Sequence, residues 1–169
     1  MRTVLIHNQN AGDGEVPTAG QLMALIKEAG LKVQYHPVRT KGWHRSVDEK
    51  LDFVVAAGGD GTVAKVARRL VGSKIPLAVL PLGTANNISR TLGISQLGVT
   101  HLIRSWKKAA HVSFDAGVAR GPWGKRYFIE GVGTGLLTHA IPHLEKSETL
   151  VQLPDKEAQV SYAQQIFRE

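Results

Sequence analysis

LDFVVAAGGDGTVAKVARRL (51–70) joins a continuous apolar run to three glycines set around one carboxylate, and then resumes helical spacing. The first part reads as a buried strand. The second reads as a helix with Val63, Val66, Ala67 and Leu70 turned inward and Gly72 as its stop. One glycine suffices for a strand-to-helix turn, and each additional one costs about 0.5–1 kcal/mol relative to alanine. Something must offset that cost. Without Cβ atoms, backbone N–H groups approach an anion directly, and the positive end of the following helix adds ~0.3–1 kcal/mol. A phosphate suits such a loop. Asp60 has a purpose beside a phosphate if it holds a divalent cation or takes a proton from an attacking hydroxyl. The competing reading is a plain tight turn with Asp60 as a helix cap.

The flanking sequence repeats this alternation. TVLIHN (3–8) is a short apolar strand leading into the loop NQNAGDG (8–14). TAGQLMALIKEAG (18–30) follows as a helix, with Leu22, Leu25, Ile26 and Ala29 on one face, Thr18 as N-cap and Gly30 as its end. LKVQYHPV (31–38) alternates like a strand, and a short charged helix is predicted over 43–50. IPLAVLPLG (75–83) supplies a fourth strand and TANNISRTLGI (84–94) another helix start. Strands apolar on both faces, separated by helices, predict an α/β fold with a parallel sheet and helices on both faces. Ligands of such sheets bind beyond the carboxyl ends of the strands. There NQNAGDG, GGDGT (58–62) and PLGTANN (81–87) all emerge.

After about residue 110 the pattern changes. VSFDAGVAR (112–120), the turn GPWGK (121–125) and RYFIEGVGTG (126–135) predict an antiparallel hairpin. A helix is expected at AQVSYAQQIFRE (158–169). The expected organisation is a nucleotide-binding α/β domain at 1–110 and an incomplete β-rich second domain at 111–169. His139 and His143 are four apart, but Pro142 lies between them, so a metal role is disfavoured.

Composition narrows the classes. With 43% hydrophobic and 21% charged residues, the 169-residue chain lies in the range of ordinary globular domains. Zero cysteines exclude disulfides, thiolate metal sites and a cysteine nucleophile, and suit a cytoplasmic setting. No apolar run approaches the ~20 residues of a membrane span, so at most peripheral membrane contact is expected. The formal charge is +7; up to His139 there are 18 Lys+Arg against 9 Asp+Glu, and afterwards 3 against 5. That surplus favours anionic partners. Only 6% of residues are aromatic and there is no dense Lys/Arg run, so nucleic acid is not expected as a partner. The glycine loops match neither GxxxxGK[ST] nor GxGxxG.

GGDGT (58–62) followed by PLGTANN (81–87) resembles the catalytic domain of the diacylglycerol kinase family, which is related to sphingosine, ceramide and NAD kinases. The resemblance extends over residues 3 to about 135. HNQNAG (7–12) stands at an NPxAG-like loop, Thr40 near a nucleotide-contacting threonine, and FDAGVAR with FIEGVGTG at the start of a β-rich domain. It implies phosphorylation of a lipid hydroxyl at a membrane surface, with ATP and Mg²⁺ as cofactors and a homodimer left open. Carried onto this sequence, it implies that Gly58, Gly59, Gly61 and Thr62 line the phosphates. Gly83, Thr84 and Asn86 then lie near the nucleotide, Asn8, Gly12 and Thr40 complete the pocket, and Asp60 is the catalytic or metal-positioning acid.

The chain also departs from the family. Where the family usually has Asn and Glu after GGDGT and one apolar residue, Ala64 and Lys65 stand here, and Asn87 replaces the usual Asp after GTAN. Lys65 reads as a solvated helix residue, with pairing to a phosphate as the alternative. Two further readings stay open: a nucleotide-binding module without catalysis, and a NAD kinase relative, against which LPLGTAN argues.

Overall fold

The computed structural model describes residues 1–12, 16–48 and 50–133. His139, His143, the helix expected at 158–169 and most of the expected second domain lie outside the described residues. Met1–Glu130 forms one compact unit, which includes the hairpin.

Four strands, β1 (Arg2–His7), β2 (Lys32–Pro37), β3 (Phe53–Gly58) and β4 (Leu77–Pro81), form one sheet in the order β2-β1-β3-β4, parallel throughout. Every residue of β3 and all but the first of β1 are buried, as central strands covered on two sides require. Alternate side chains divide the core. Val4, Ile6, Val54 and Ala56 pack with Val63, Val66 and Leu70 of α2 (Asp60–Leu70) and Ile88 of α3 (Asn87–Thr91). Leu5, Val55 and Ala57 pack with Leu22 and Ile26 of α1 (Ala19–Glu28) and Leu102 and Ile103 of α4 (Val99–Ser105).

Helix α1 begins where the sequence places its cap. Thr18 Oγ1 accepts from the Gln21 amide at 3.3 Å, and Gln21 Oε1 accepts from the Thr18 amide at 2.8 Å. The helix expected over 43–50 is instead a single 3₁₀ turn, Trp43–Ser46. The Asp48 carboxylate takes the Lys50 amide at 2.9 Å, a local bond that competes with helix continuation. The expected hairpin is present and antiparallel, as β5 (Gly117–Gly121) and β6 (Gly124–Phe128), joined through Pro122 and Trp123.

In this strand order the chain leaves β1 toward β2 on one side and occupies β3 and β4 on the other. The crevice between the carboxyl ends of β1 and β3 is therefore the switch point at which doubly wound sheets bind ligands.

Candidate active site

Three loops meet at that switch point, and the absence of side chains is what lets them meet. A Cβ on Gly83 would lie 2.3 Å from Gly59 Cα, so the loops after β3 and β4 touch backbone to backbone. Gly12 holds φ +78°, and a Cβ there would sit 2.6 Å from the Leu82 carbonyl oxygen. The loop after β1 is thereby pressed onto the loop after β4. Gly58 is needed for a different reason: its missing Cβ makes room for Thr62, whose Oγ1 would be only 2.6 Å away.

Asn86 fixes the shape of the PLGTANN turn. It adopts a left-handed conformation with φ +50°, and its side-chain oxygen accepts from the Gly83 amide at 3.0 Å. Its amide nitrogen donates to the Gly83 carbonyl. Asparagine tolerates this conformation better than most residues because its short amide bonds to nearby backbone.

Asp60 joins the two glycine loops. Its Oδ2 accepts from the Asn87 amide and its Oδ1 from the Ile88 amide, each at 3.0 Å. Both carboxylate oxygens thus serve the first amides of α3, which would otherwise lack helical partners. The sequence alone does not disclose this, because Asp60 and Ile88 lie 28 positions apart.

The result is a cleft of about 320 Å³ whose described walls include Asn8, Gly12, Gly59, Gly61, Thr62 and Gly83, all six expected from the sequence. Ala11, Val38 and Lys65 line it as well. Asn8 is set at the exit of β1 by its amide, which donates to the Ala57 carbonyl at 2.9 Å. Gly58, Asp60, Thr84 and Asn86 belong to the same strand ends and loops but are not among the lining residues of the cleft. Thr40 is exposed in the turn after β2, two residues past the lining residue Val38, with its amide donating to the Pro37 carbonyl at 3.0 Å.

Lys65 is exposed, as its helical position suggests, but its side chain is not without contacts. Its Nζ donates to the Val38 carbonyl at 3.0 Å and stands 5.9 Å from the centre of the Trp43 ring. Among the described residues, no three His, Cys, Asp or Glu side chains gather into a metal-holding set. Among the described residues of the three loops, Asp60 is the one carboxylate, and it already accepts from two amides.

Chemically, the cleft offers a glycine-walled backbone surface, one hydroxyl from Thr62 and one ammonium, a set suited to an extended anion. The family profile of the diacylglycerol kinase catalytic domain matches residues 2–119. The chain is similar to a diacylglycerol kinase of Bacillus subtilis, 29% identical over 170 residues that cover 88% of this chain and 55% of that protein. It is also similar to a probable lipid kinase YegS-like protein of Klebsiella pneumoniae, 37% identical over 94 residues, covering 52% of this chain and 32% of the relative. A crystal structure of a diacylglycerol kinase from Bacillus anthracis str. Sterne superposes with a TM-score of 0.54 at 27% identity, covering 73% of this chain and 47% of that one. The chain thus spans about half or less of the length of these relatives.

Proposed function

Because the chain belongs to the diacylglycerol kinase catalytic domain family, we propose that it binds ATP in the cleft at the β1–β3 switch point and serves transfer of the γ-phosphoryl group to a lipid hydroxyl. In that reaction the hydroxyl oxygen forms a new bond to the γ-phosphorus and gives up its proton to water, the bond to the β-phosphate bridging oxygen breaks, and ADP leaves. Positioning and charge neutralisation dominate such chemistry. The observation that carries the reading is the backbone contact of Gly59 with Gly83, which builds a wall of bare backbone without side chains.

In this reading Gly58, Gly59, Gly61 and Thr62 serve the phosphates, Asn8 and Gly12 the opposite wall, and Gly83, Thr84 and Asn86 the nucleotide side. Thr40 stands at the rim. Asp60 acts as a positioning residue that holds the two phosphate loops in register, given its two amide bonds to α3. Mg²⁺ that arrives with the nucleotide would be held by its phosphates and is not required for binding in the cleft, and a lipid substrate requires peripheral contact with a membrane surface, for which the basic surplus before His139 is suited.

The test is thermal melting of the chain with and without Mg-ATP, repeated on Gly59→Val, together with transfer of labelled phosphate from ATP to diacylglycerol in mixed vesicles. ATP at about 100 times its Kd should stabilise the fold by roughly 2.7 kcal/mol, and Gly59→Val should abolish the shift. Absence of any shift at millimolar ATP overturns the reading. A second reading, nucleotide binding without catalysis, is favoured by the engagement of Asp60 with backbone amides. It predicts the melting shift without phosphate transfer.

A further inference from the structure

We propose that Lys65 is the cationic phosphate ligand of the cleft, supplying from the protein the positive charge that would otherwise come from a divalent ion. The proposal deepens the nucleotide reading above and rests on it.

The geometry is specific to this side chain. Lys65 follows Gly61 by four residues, so it stands one helical turn above the glycine loop, on the same face. It lines the cleft together with Gly59, Gly61 and Thr62. Its ammonium is fixed from behind by two groups that bear no full charge. The Val38 carbonyl accepts one proton at 3.0 Å. The Trp43 ring, itself only 6% exposed, stands 5.9 Å away, within the range at which an aromatic face attracts a cation. An ammonium carries three donors. One is used on Val38, and among the described residues no carboxylate pairs with Lys65 where it borders the cleft.

An oriented ammonium that no described carboxylate pairs, beside a glycine-walled surface, matches an anion with several oxygens. The described residues meanwhile gather no acidic set for a cation. Of the described residues lining the cleft, Lys65 alone carries a full charge. The structure assigns to Lys65 the charge-assisted bond to the phosphate chain, with Val38 and Trp43 as its support.

The experiment is calorimetric titration of the 169-residue chain with ATP, AMP and pyrophosphate, each in Mg²⁺ and in EDTA, for the unaltered chain, Lys65→Met and Lys65→Arg. The unaltered chain should bind ATP with comparable affinity in both buffers. Lys65→Met should weaken ATP and pyrophosphate by about tenfold or more while moving AMP little, as expected for loss of one charge-assisted bond to the outer phosphates. Lys65→Arg should keep most of the affinity. Equal binding of ATP by Lys65→Met, or equal loss for ATP and AMP, overturns the role of Lys65. So does binding of ATP by the unaltered chain only in Mg²⁺. If the unaltered chain binds none of the three ligands in either buffer, it is the nucleotide reading of the cleft that fails. Pyrophosphate binding without any preference for ATP over it would assign the site to phosphate alone. Circular dichroism of each variant establishes that the fold is retained, and Lys65→Arg preserves the charge should the methionine variant not fold.

Discussion

At the scale of single residues, Asp60, Gly83 and His7 show three ways in which one side chain, or its absence, decides the site. Asp60 was legible as the acid of a glycine loop, but its partners were not, because they are backbone amides of a helix 27 and 28 positions away. Asp60→Asn leaves one good acceptor for two amides and should cost about 1–3 kcal/mol of stability in urea unfolding without ligand. A purely catalytic acid would leave the unliganded stability unchanged. Gly83→Ala places a methyl 2.3 Å from Gly59 Cα, so the two loops must separate; ATP binding should be lost even if the fold survives. His7, 1% exposed, has no partner for either ring nitrogen among the described residues and lies edge-on to Tyr35 with centroids 6.1 Å apart. Burial lowers its pKa below the ordinary value. The unfolded chain therefore takes up a proton near pH ~6.5 that the folded chain refuses. Stability from this residue is fully present above that pH and declines below it, by at most about 1.4 kcal/mol per pH unit. His7→Leu should remove this component of the slope between pH 7 and pH 5 in denaturant titrations.

The elements were read from the sequence where a single period governed them. In α2, the spacing of Val63, Val66 and Leu70 places one stripe on the sheet, and all three are buried. Val66 is 0% exposed, so Val66→Ala should destabilise by about 2–3 kcal/mol, counting lost transfer energy and residual cavity. Helix α1 is set by its capping box, and Thr18→Ala should cost about 1 kcal/mol, measurable as a lowered denaturation midpoint. Elements without such a signature escaped. Helix α4 buries only the adjacent pair Leu102 and Ile103 over seven residues, too short a stretch for a period to show. Over 43–50, helical spacing between Trp43 and Val47 was offset by the local bond of Asp48, which ends the turn early.

For the whole molecule, sheet order is what turns three loops into one site. Every residue named in the cleft, and both core clusters, lie within Met1–Glu130. A chain ended after Glu130 should therefore unfold cooperatively and retain the stabilisation by ATP, as judged by thermal melting; loss of the transition would place essential packing beyond that residue. The sequence by itself determined the parallel α/β layering, because strands buried on both faces and helices apolar on one face leave few other ways to cover their surfaces. It also determined which loops carry glycine, since backbone conformation and close approach are local demands. Only the tertiary structure decided that Gly59 meets Gly83, that Asp60 caps a distant helix, and that Lys65 is anchored by Val38 and Trp43. These contacts join residues far apart along the chain, and no periodicity encodes which of them strand order and sheet twist bring together.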